Sequence, residues 1–544
     1  MKHLILWALG ALFGLFSSIS LACVTPAQLY QAADQRDAEH VNFNKALGCE
    51  SLSADTLEVA LIALGRVGGE VAMNKVLPYL THEQAHVRQA AAFALGIGGV
   101  PTLGEHLVKA LDSEIEPSVQ YRMALAIGNM GYPKAQPVLT DIINQSDSPE
   151  KIRGALQGLV NLSSFHPSLI GSFEHLSSSQ LIKALWDPKT QLEASYLMSR
   201  RNLMEMQQVD QVLQQLDTLE PRAQAKMIRA LANTQLNKVL PMLLTHIQKE
   251  NIGIRVSAIR GLANFKENPA ALAGVLIALK QKDVMSQVTA LQTMNNSWLE
   301  KDNVHSAVAN QLNSDNTWVQ YEAMMALIRG DKADRKIVTL WSKSDDPNLQ
   351  RAAIAYFTKR KDHETLETLA KSDRAIIAKG AQQALNQKAE TASSAAATPD
   401  RLPELHTVVL NTTKGIIKLK LFEDTPYTSA NFLKLVEEGY YDNSYFHRVI
   451  HDFVAQGGSN IGDGSGSVGY SIREELSYRS HLPGTVGMAT LGKDTGGAQF
   501  FINTAPNLHL DSNYTIFGEV IEGMGVAMLL EQNDRVVKAE VLTD

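Results

Sequence analysis

Near its C-terminus the chain reads Phe446-His447-Arg448-Val449, then Phe453-Val454-Ala455-Gln456-Gly457-Gly458, and later Gln499-Phe500-Phe501-Ile502. These stretches place an arginine, a glutamine and several aromatic residues in a short region rich in β-forming residues. They contain no pair of acid and base side chains. The combination therefore suits a reaction in which no covalent bond is made or broken, and in which a fixed positive charge acts beside an apolar pocket.

The surrounding sequence predicts a β-rich domain that begins with a hairpin. β-Branched and alternating residues within 407–422 flank a turn at residues 412–415. Thr425-Pro426 then provides an N-cap and a first-turn proline for a helix that Gly439 ends. Short strands with glycine turns follow, and a second helix is predicted near residues 525–532. This order predicts a closed antiparallel β-barrel with two helices.

The last 140 or so residues, 405–544, resemble the cyclophilin family of peptidyl-prolyl isomerases. The resemblance rests on five motifs that occur in the family's order and spacing. They are Phe446-His447-Arg448, Phe453 with Gln456-Gly457-Gly458, Gly487-Met488-Ala489, Gln499-Phe500-Phe501-Ile502 and Tyr514-Thr515-Ile516-Phe517-Gly518.

The resemblance implies roles for individual residues. Arg448 corresponds to the family's catalytic arginine, and Gln456 to the polar partner beside it. The residues expected to bind substrate are Phe453, Val454, Ala489, Thr490, Gln499, Phe501, His509, Leu510 and Tyr514. Val454 stands where the family commonly has Met, His509 where many eukaryotic members have Trp, and Tyr514 where they have His. Because an indole supplies both apolar area and an N–H donor, we expect weak binding of cyclosporin. No metal or cofactor is expected.

The chemistry of X-Pro isomerisation agrees with this set of residues. Its barrier of about 18–20 kcal/mol comes from amide resonance, and it falls when the nitrogen lone pair leaves conjugation. A permanently charged guanidinium such as that of Arg448 can donate to the proline nitrogen as it becomes pyramidal. An apolar pocket holds the ring and strengthens this interaction by excluding water. A rate enhancement of about a million-fold requires roughly 8 kcal/mol of differential stabilisation.

The middle of the chain, residues 54–388, is repetitive. Segments such as Ala63-Leu64-Gly65 and Ala94-Leu95-Gly96 recur, mostly about every 31 to 34 residues, and residues 165–215 fit the period poorly. A second series contains an apolar residue followed by Arg or Gln, as in Val87-Arg88, and is interpreted as structural caps or contacts between repeats. The pattern resembles HEAT-like repeats, which implies an α-solenoid whose concave face binds another macromolecule, here an unidentified protein partner or a substrate.

The N-terminal residues predict export. Lys2 and His3 precede an apolar run, Leu4 to Leu15, and residues 1–22 have the layout of a secretory signal peptide. Two alternatives stay open at Cys23: acylation, as in a lipoprotein, or a disulfide with Cys49, the only other cysteine. They exclude each other, because both use the same sulfur. The predicted location is the periplasm or cell envelope, with membrane attachment only if Cys23 is lipidated.

Composition limits the remaining function classes. The formal net charge of −7 gives no electrostatic footprint for nucleic acid, so we do not expect the protein to bind nucleic acid.

The remaining segments complete the predicted domain organisation. Residues 389–404, which include Ala392 to Pro399, predict a flexible linker, and residues 23–53 form an N-terminal mature segment. We thus expect a multidomain peptidyl-prolyl isomerase for exported proteins, whose solenoid recruits a substrate or partner. The alternative is a non-catalytic scaffold that binds proline-containing segments or assists envelope assembly.

Overall fold

The structure is a computed structural model that describes residues 23–385, 407–459 and 468–542. The predicted signal peptide and the predicted linker lie outside these described residues. The first described range is helical, and the other two form a curled β-sheet domain with two helices.

Helices of the first range form two rows. They are α1 (Pro26–Asp34), α2 (Val41–Leu47), α3 (Ala54–Val67), α4 (Gly69–Val76), α5 (Ala85–Ile97), α6 (Gly104–Ser113), α7 (Pro117–Asn129), α8 (Ala135–Gln145), α9 (Pro149–Phe165), α10 (Ser178–Trp186), α11 (Gln191–Arg201), α12 (Met206–Gln215), α13 (Pro221–Asn233), α14 (Leu240–His246), α15 (Ile252–Leu262), α16 (Pro269–Leu279), α17 (Val284–Thr293), α18 (Asn296–Leu299), α19 (Asp302–Asn310), α20 (Thr317–Arg329), α21 (Arg335–Trp341), α22 (Pro347–Arg360), α23 (His363–Leu369) and α24 (Ala375–Ala384). The odd-numbered helices from α1 to α17, followed by α20, α22 and α24, pack one against the next. We call them the inner row, and the whole set the repeat array.

The recurring small residues explain how the inner row packs. A Cβ on Gly65 would lie 2.7 Å from Cα of Ala94, and one on Gly96 would lie 3.0 Å from Cβ of Ala126. At Gly128 the nearest atom would be the carbonyl oxygen of Gly158, at 2.3 Å. The glycines of the Ala-Leu-Gly motif are therefore required because neighbouring helices approach more closely than a side chain allows.

The second repeated series also has a structural role, as predicted. Arg88, Gln120, Arg255, Gln320 and Gln350 each donate from the side chain to a backbone carbonyl six residues earlier, at 2.6–2.9 Å. These bonds satisfy carbonyl groups in the loops before α5, α7, α15, α20 and α22. Arg153, another member of the series, instead pairs with Glu193 of α11.

The helical array begins earlier than the predicted start at residue 54. The helix pair α1–α2 precedes the predicted start at residue 54, and α1 packs on α3. A disulfide joins Cys23, before α1, to Cys49, after α2. The stretch with poor periodicity contains a 3-10 turn, Pro167–Leu169, and an irregular segment up to α10.

The C-terminal domain is one antiparallel sheet of nine strands. They are β1 (Thr407–Thr412), β2 (Gly415–Leu421), β3 (Ser444–Tyr445), β4 (Arg448–Ile450), β5 (Val454–Gly457), β6 (Thr485–Met488), β7 (Phe500–Asn503), β8 (Ile516–Glu522) and β9 (Arg535–Leu542), with helices α25 (Pro426–Glu437) and α26 (Met524–Met528). The strand order is β3-β9-β1-β2-β8-β6-β7-β5-β4. The predicted barrel architecture is confirmed as a curled sheet. Its end strands β3 and β4 are neighbours in the chain, and an isolated bridge joins Tyr445 to Ser459.

The opening hairpin and the first helix of this domain match the predictions. β1 and β2 pair through the turn at residues 412–415, and α25 begins at Pro426. The second helix, α26, is shorter than predicted. Phe500 is fully buried beside Phe432 of α25, which agrees with its predicted place on the core face of its strand.

The inner row lies against the C-terminal domain along most of its length. Hydrogen bonds and ion pairs across this interface join Arg36 to Asp494, Arg66 to the carbonyl of Leu476, Gln157 to Asp511, Lys226 to Asp452, and Arg351 to Asn533. A row of helices that touches one small domain from residue 36 to residue 351 must curve around it. The face that was expected to bind a separate macromolecule is therefore covered by the chain's own C-terminal domain.

Candidate active site

Arg448 begins β4 and lies opposite Gln456 of β5 in the strand register. Its Nη1 donates to Gln456 Oε1 at 3.2 Å, and Gln456 Nε2 donates to Gln499 Oε1 at 3.1 Å. Arg448 is exposed, whereas Gln456 and Gln499 are half-buried. The two amides thus form a chain that orients the guanidinium towards the sheet surface.

Strand alternation places the other predicted residues on the same face. Gln456 pairs with Phe501, Phe501 with Gly487, and Val454 with Asn503. Since side chains alternate along a strand, Val454, Gln456 and Phe501 share a face, and Phe500 points into the core. Val454 is 2% exposed, so it forms the floor of the site rather than its rim.

Phe453 and Phe501 form two aromatic walls. The guanidinium carbon of Arg448 lies 5.4 Å from the centroid of the Phe453 ring. The carbonyl of Phe453 accepts from Thr504 N at 3.0 Å and from Asn507 Nδ2 at 2.8 Å, which fixes the backbone of this wall. Phe501 is 5% exposed.

The Phe501 ring is held by its neighbours. His481 stacks on it at 5.9 Å, and Tyr514 meets it edge-on at 6.1 Å. His481 is fully buried, and Asp511 Oδ1 accepts from its backbone N–H at 2.7 Å and lies 3.0 Å from its Nδ1. Neither His481 nor Asp511 was predicted, because neither lies in a motif and only the fold brings them behind the pocket.

The remaining predicted residues lie around these walls. The backbone N–H of Ala489 donates to the carbonyl of Gln499 at 2.9 Å, which ties the segment after β6 to the start of β7. Ala489 and Thr490 are half-buried, as are Leu510 and Tyr514. His509 lies in the 3-10 turn Leu508–Leu510 and stacks on Phe453 at 5.6 Å. The structure therefore brings the whole predicted set to one region of the sheet.

The guanidinium of Arg448 is a charged donor beside apolar side chains. Although the side chain is exposed overall, partial burial of its guanidinium lowers the pKa of Arg448, and Tyr514 opposes that effect. An arginine remains protonated in proteins regardless of such shifts.

Among the described residues, no group of three or more His, Cys, Asp or Glu side chains is placed to hold a metal ion. No helix within residues 23–385, 407–459 and 468–542 is both long and apolar enough to cross a membrane.

Two histidines beside the site are held uncharged. Burial lowers the pKa of His509 to about 3, and nearby Arg200, His481 and Lys226 act in the same direction. Burial likewise lowers the pKa of His451 to about 4. For His451, Asp452 opposes the effect, whereas Arg260, Arg255 and Arg229 add to it.

Acidification should therefore weaken the folded state through these two histidines. Their pKa values are about 4 and about 3 when folded, and the ordinary value is 6.5. The unfolded chain then binds more protons between pH 6.5 and 4, so stability is complete above pH 6.5 and declines as the pH falls. Each histidine contributes roughly 1.4 kcal/mol per pH unit in that window. We expect the melting temperature of His451→Gln/His509→Gln to fall less from pH 7 to pH 5 than that of the wild type.

A matched control separates this effect from other titrating groups. His106 is exposed on α6, and His106→Gln should keep the wild-type pH dependence. Equal slopes of melting temperature against pH for the double variant and the wild type would show that the two histidines do not contribute.

Comparisons with known proteins agree with the site. A family model described as cyclophilin type peptidyl-prolyl cis-trans isomerase/CLD matches residues 407–543. A peptidyl-prolyl cis-trans isomerase of Synechococcus elongatus is 45% identical over 139 residues, which cover 25% of this chain and 96% of that protein. Peptidyl-prolyl cis-trans isomerase B of Bacillus subtilis is 46% identical over 121 residues, 22% of this chain and 85% of that protein.

One solved structure is similar to part of this chain. It is a cyclophilin type peptidyl-prolyl cis-trans isomerase of Cryptosporidium parvum, 27% identical, with 26% of this chain and 99% of that chain covered and a TM-score of 0.25. The Synechococcus relative is matched over nearly its whole length. The family model matches residues 407–543, the domain that carries Arg448 and the two aromatic walls. This chain therefore belongs to the cyclophilin-type peptidyl-prolyl cis-trans isomerases, with its isomerase domain held against an array of helical repeats.

Proposed function

We propose that this isomerase acts on X-Pro bonds of exported proteins, in the periplasm or elsewhere in the cell envelope. The observation that carries the proposal is the disulfide between Cys23 and Cys49. Such bonds persist in oxidising compartments and are rare in the cytosol. The apolar run from Leu4 to Leu15, with a small-residue site before Cys23, supports the same location.

The same bond bears on lipid attachment. A lipidated Cys23 carries its lipid on the sulfur that here is bonded to Cys49. The two ends of the α1–α2 segment are thereby joined, which restrains the first helix pair of the array. We therefore favour the disulfide-bonded form over the lipoprotein.

We assign the catalytic step to Arg448. The proline ring of the substrate lies between Phe453 and Phe501, and the guanidinium donates to the proline nitrogen as the amide twists. Gln456 holds the guanidinium by its 3.2 Å hydrogen bond, so that the donor needs little reorganisation during the reaction. No proton transfer or covalent intermediate is required. The contacts of Arg448 with Gln456 and Phe453 support this assignment.

We place the recruitment of a partner or substrate on a surface of the array other than the predicted concave face. The inner row is occupied by the isomerase domain, so a second protein must bind elsewhere. Helices outside the inner row expose large apolar side chains, and we place the binding of an unfolded chain on these helices. Examples are Val71 of α4, Ile277 of α16 and Leu340 of α21. Tethering there would raise the local concentration of X-Pro bonds near the active site.

Intact-mass analysis tests the location. The chain is expressed with residues 1–22 in a bacterium, and the protein is purified from periplasmic and cytoplasmic fractions without reductant. We expect periplasmic protein that begins at Cys23 and that reacts with a thiol reagent only after reduction. Full-length protein that stays in the cytoplasm with two reactive thiols would refute export. A mass increase from acyl chains, with one free thiol, would replace the disulfide-bonded form by the lipoprotein. Cys49→Ser is the matched control, since it frees the thiol of Cys23 without altering the export signal.

A further inference from the structure

His509 connects the pocket of the isomerase domain to the repeat array. Its ring stacks on Phe453 with a centroid distance of 5.6 Å, and on Tyr196 of α11 with a centroid distance of 5.8 Å. The hydroxyl oxygen of Tyr196 lies 2.6 Å from His509 Nδ1. Tyr196 is 3% exposed, so this bond is shielded from water. A buried hydrogen bond together with two stacked rings restricts rotation of the imidazole. The plane against which Phe453 lies is thus determined partly by the array.

The turn that carries Phe453 is also held by the array. Asp452, directly before Phe453, has a φ of +60°, a left-handed conformation that non-glycine residues rarely adopt. Its Oδ2 lies 3.0 Å from Lys226 Nζ and 3.9 Å from Arg229 Nη2, both on α13. The side chains of Lys226 and Asp452 are only 7% and 10% exposed. Lys226 Nζ also lies 5.0 Å from the ring centroid of Tyr196, so one ammonium group contacts both supports of the Phe453 wall.

The second wall is supported in a similar way from α9. Gln157 Nε2 donates to Asp511 Oδ2 at 2.7 Å, and Asn161 Nδ2 donates to the backbone carbonyl of Asp511 at 3.4 Å. The other carboxylate oxygen of Asp511 accepts from the backbone of His481, whose ring stacks on Phe501. The Phe453 wall therefore reaches the array through one side chain, His509, and the Phe501 wall reaches it through two, His481 and Asp511.

We propose that the repeat array is part of the active site: Tyr196 and Lys226 are positioning residues that hold His509 and the Asp452–Phe453 turn, and so set how tightly the pocket binds proline. Arg448 donates its hydrogen bond within the isomerase domain, to Gln456 of the neighbouring strand, and contacts the Phe453 wall through the ring, at 5.4 Å from its centroid. Loss of the array contacts therefore affects binding more than the chemical step. This inference does not depend on where the protein resides. It rests on the proposed placement of the proline pocket between Phe453 and Phe501.

The test compares kcat and KM of full-chain variants on a short Ala-Pro peptide. Tyr196→Phe keeps the ring and removes the hydroxyl, and Lys226→Met removes the charge that holds Asp452. We expect KM to rise about 3- to 10-fold in each variant while kcat stays within about twofold, as for a lost binding contribution. Lys226→Arg, which can still pair with Asp452, should restore KM to within about twofold of the wild type.

Control variants separate positioning from general destabilisation. Tyr356→Phe alters a buried tyrosine on α22, and Lys75→Met alters a partly buried ion pair with Glu39. Both should leave KM unchanged at a temperature where all variants are folded. The proposal is overturned if Tyr196→Phe and Lys226→Met have wild-type KM, or if kcat falls in these variants while KM does not rise. Phe453→Ala tests the pocket itself, because unchanged kinetics in that variant would show that the pocket was misplaced. If KM rises in Phe453→Ala but stays at the wild-type value in Tyr196→Phe and Lys226→Met, only the role of the array is refuted.

Discussion

Replacing Arg448 by alanine is expected to lower kcat/KM for a short Ala-Pro peptide by about 100- to 1000-fold, the usual cost of removing one preorganised donor from a transition state. The loss should appear mainly in kcat, because the aromatic walls that bind the ring remain. Arg448 is exposed and its one side-chain hydrogen bond in the described contacts is to Gln456, so the melting temperature should change little. Isomerisation rates of the full chain, measured at matched stability, provide the test.

Two further variants define what the arginine contributes. Arg448→Lys keeps the positive charge but not the planar pair of donors, so we expect an activity between those of alanine and wild type. Arg535 is an exposed arginine on β9 of the same domain, and Arg535→Ala should retain full activity. If Arg448→Ala were as active as Arg535→Ala, the assignment of the catalytic step to Arg448 would be wrong. If Arg448→Ala had no measurable turnover but kept the protein's role in cells, the scaffold alternative would be favoured.

Replacing Gly487 by alanine should disturb the pocket, because the added methyl group would collide with the Phe501 ring. Gly487 lies opposite Phe501 in the β6–β7 register, and a Cβ there would lie 2.3 Å from Cζ and 2.7 Å from Cε2 of that ring. The ring cannot move freely, because His481 and Tyr514 pack against it. We expect a loss of kcat/KM of roughly 10- to 100-fold with a destabilisation of about 1–3 kcal/mol, as for overpacking elsewhere.

A second glycine provides the control for Gly487. Gly525 lies in α26, where an added Cβ meets no atom within 4 Å, so Gly525→Ala should keep wild-type activity and stability. A Gly487→Ala variant with unchanged kinetics would show that the position of Phe501 does not matter to turnover. Equal loss of activity in both glycine variants would point to an effect on the fold rather than on the pocket.

Local patterns were sufficient for much of the architecture. The Ala-Leu-Gly series predicted the repeats, because close helix packing requires small residues at fixed intervals along one face. The series of Arg and Gln residues predicted structural contacts, and these side chains donate to loop carbonyls within their own repeats. The β1–β2 hairpin and α25 followed from turn and capping residues, whose effects extend over only a few positions.

Long-range packing was not predictable in the same way. Tyr196, Lys226 and Gln157 resemble ordinary residues of a repeat, and no motif connects them to residues 451–511. The expectation of a separate C-terminal domain after a linker, and of a concave face that binds another macromolecule, did not foresee the interface. A linker of suitable composition constrains neither domain's orientation, so local sequence carries no information about which surfaces meet.

Arg448, Gln456 and the two aromatic walls could be identified from sequence because their order and spacing in the strands place them on one face of a sheet. The supports behind those walls, from His481 and Asp511 in the domain to Tyr196 and Lys226 in the array, became apparent only in the tertiary structure. The physical reason is that strand alternation acts over two residues, whereas the contacts of His509 and Asp452 join segments more than 200 residues apart in the chain. Which side chains meet over such a distance depends on how the repeat array curves around the isomerase domain.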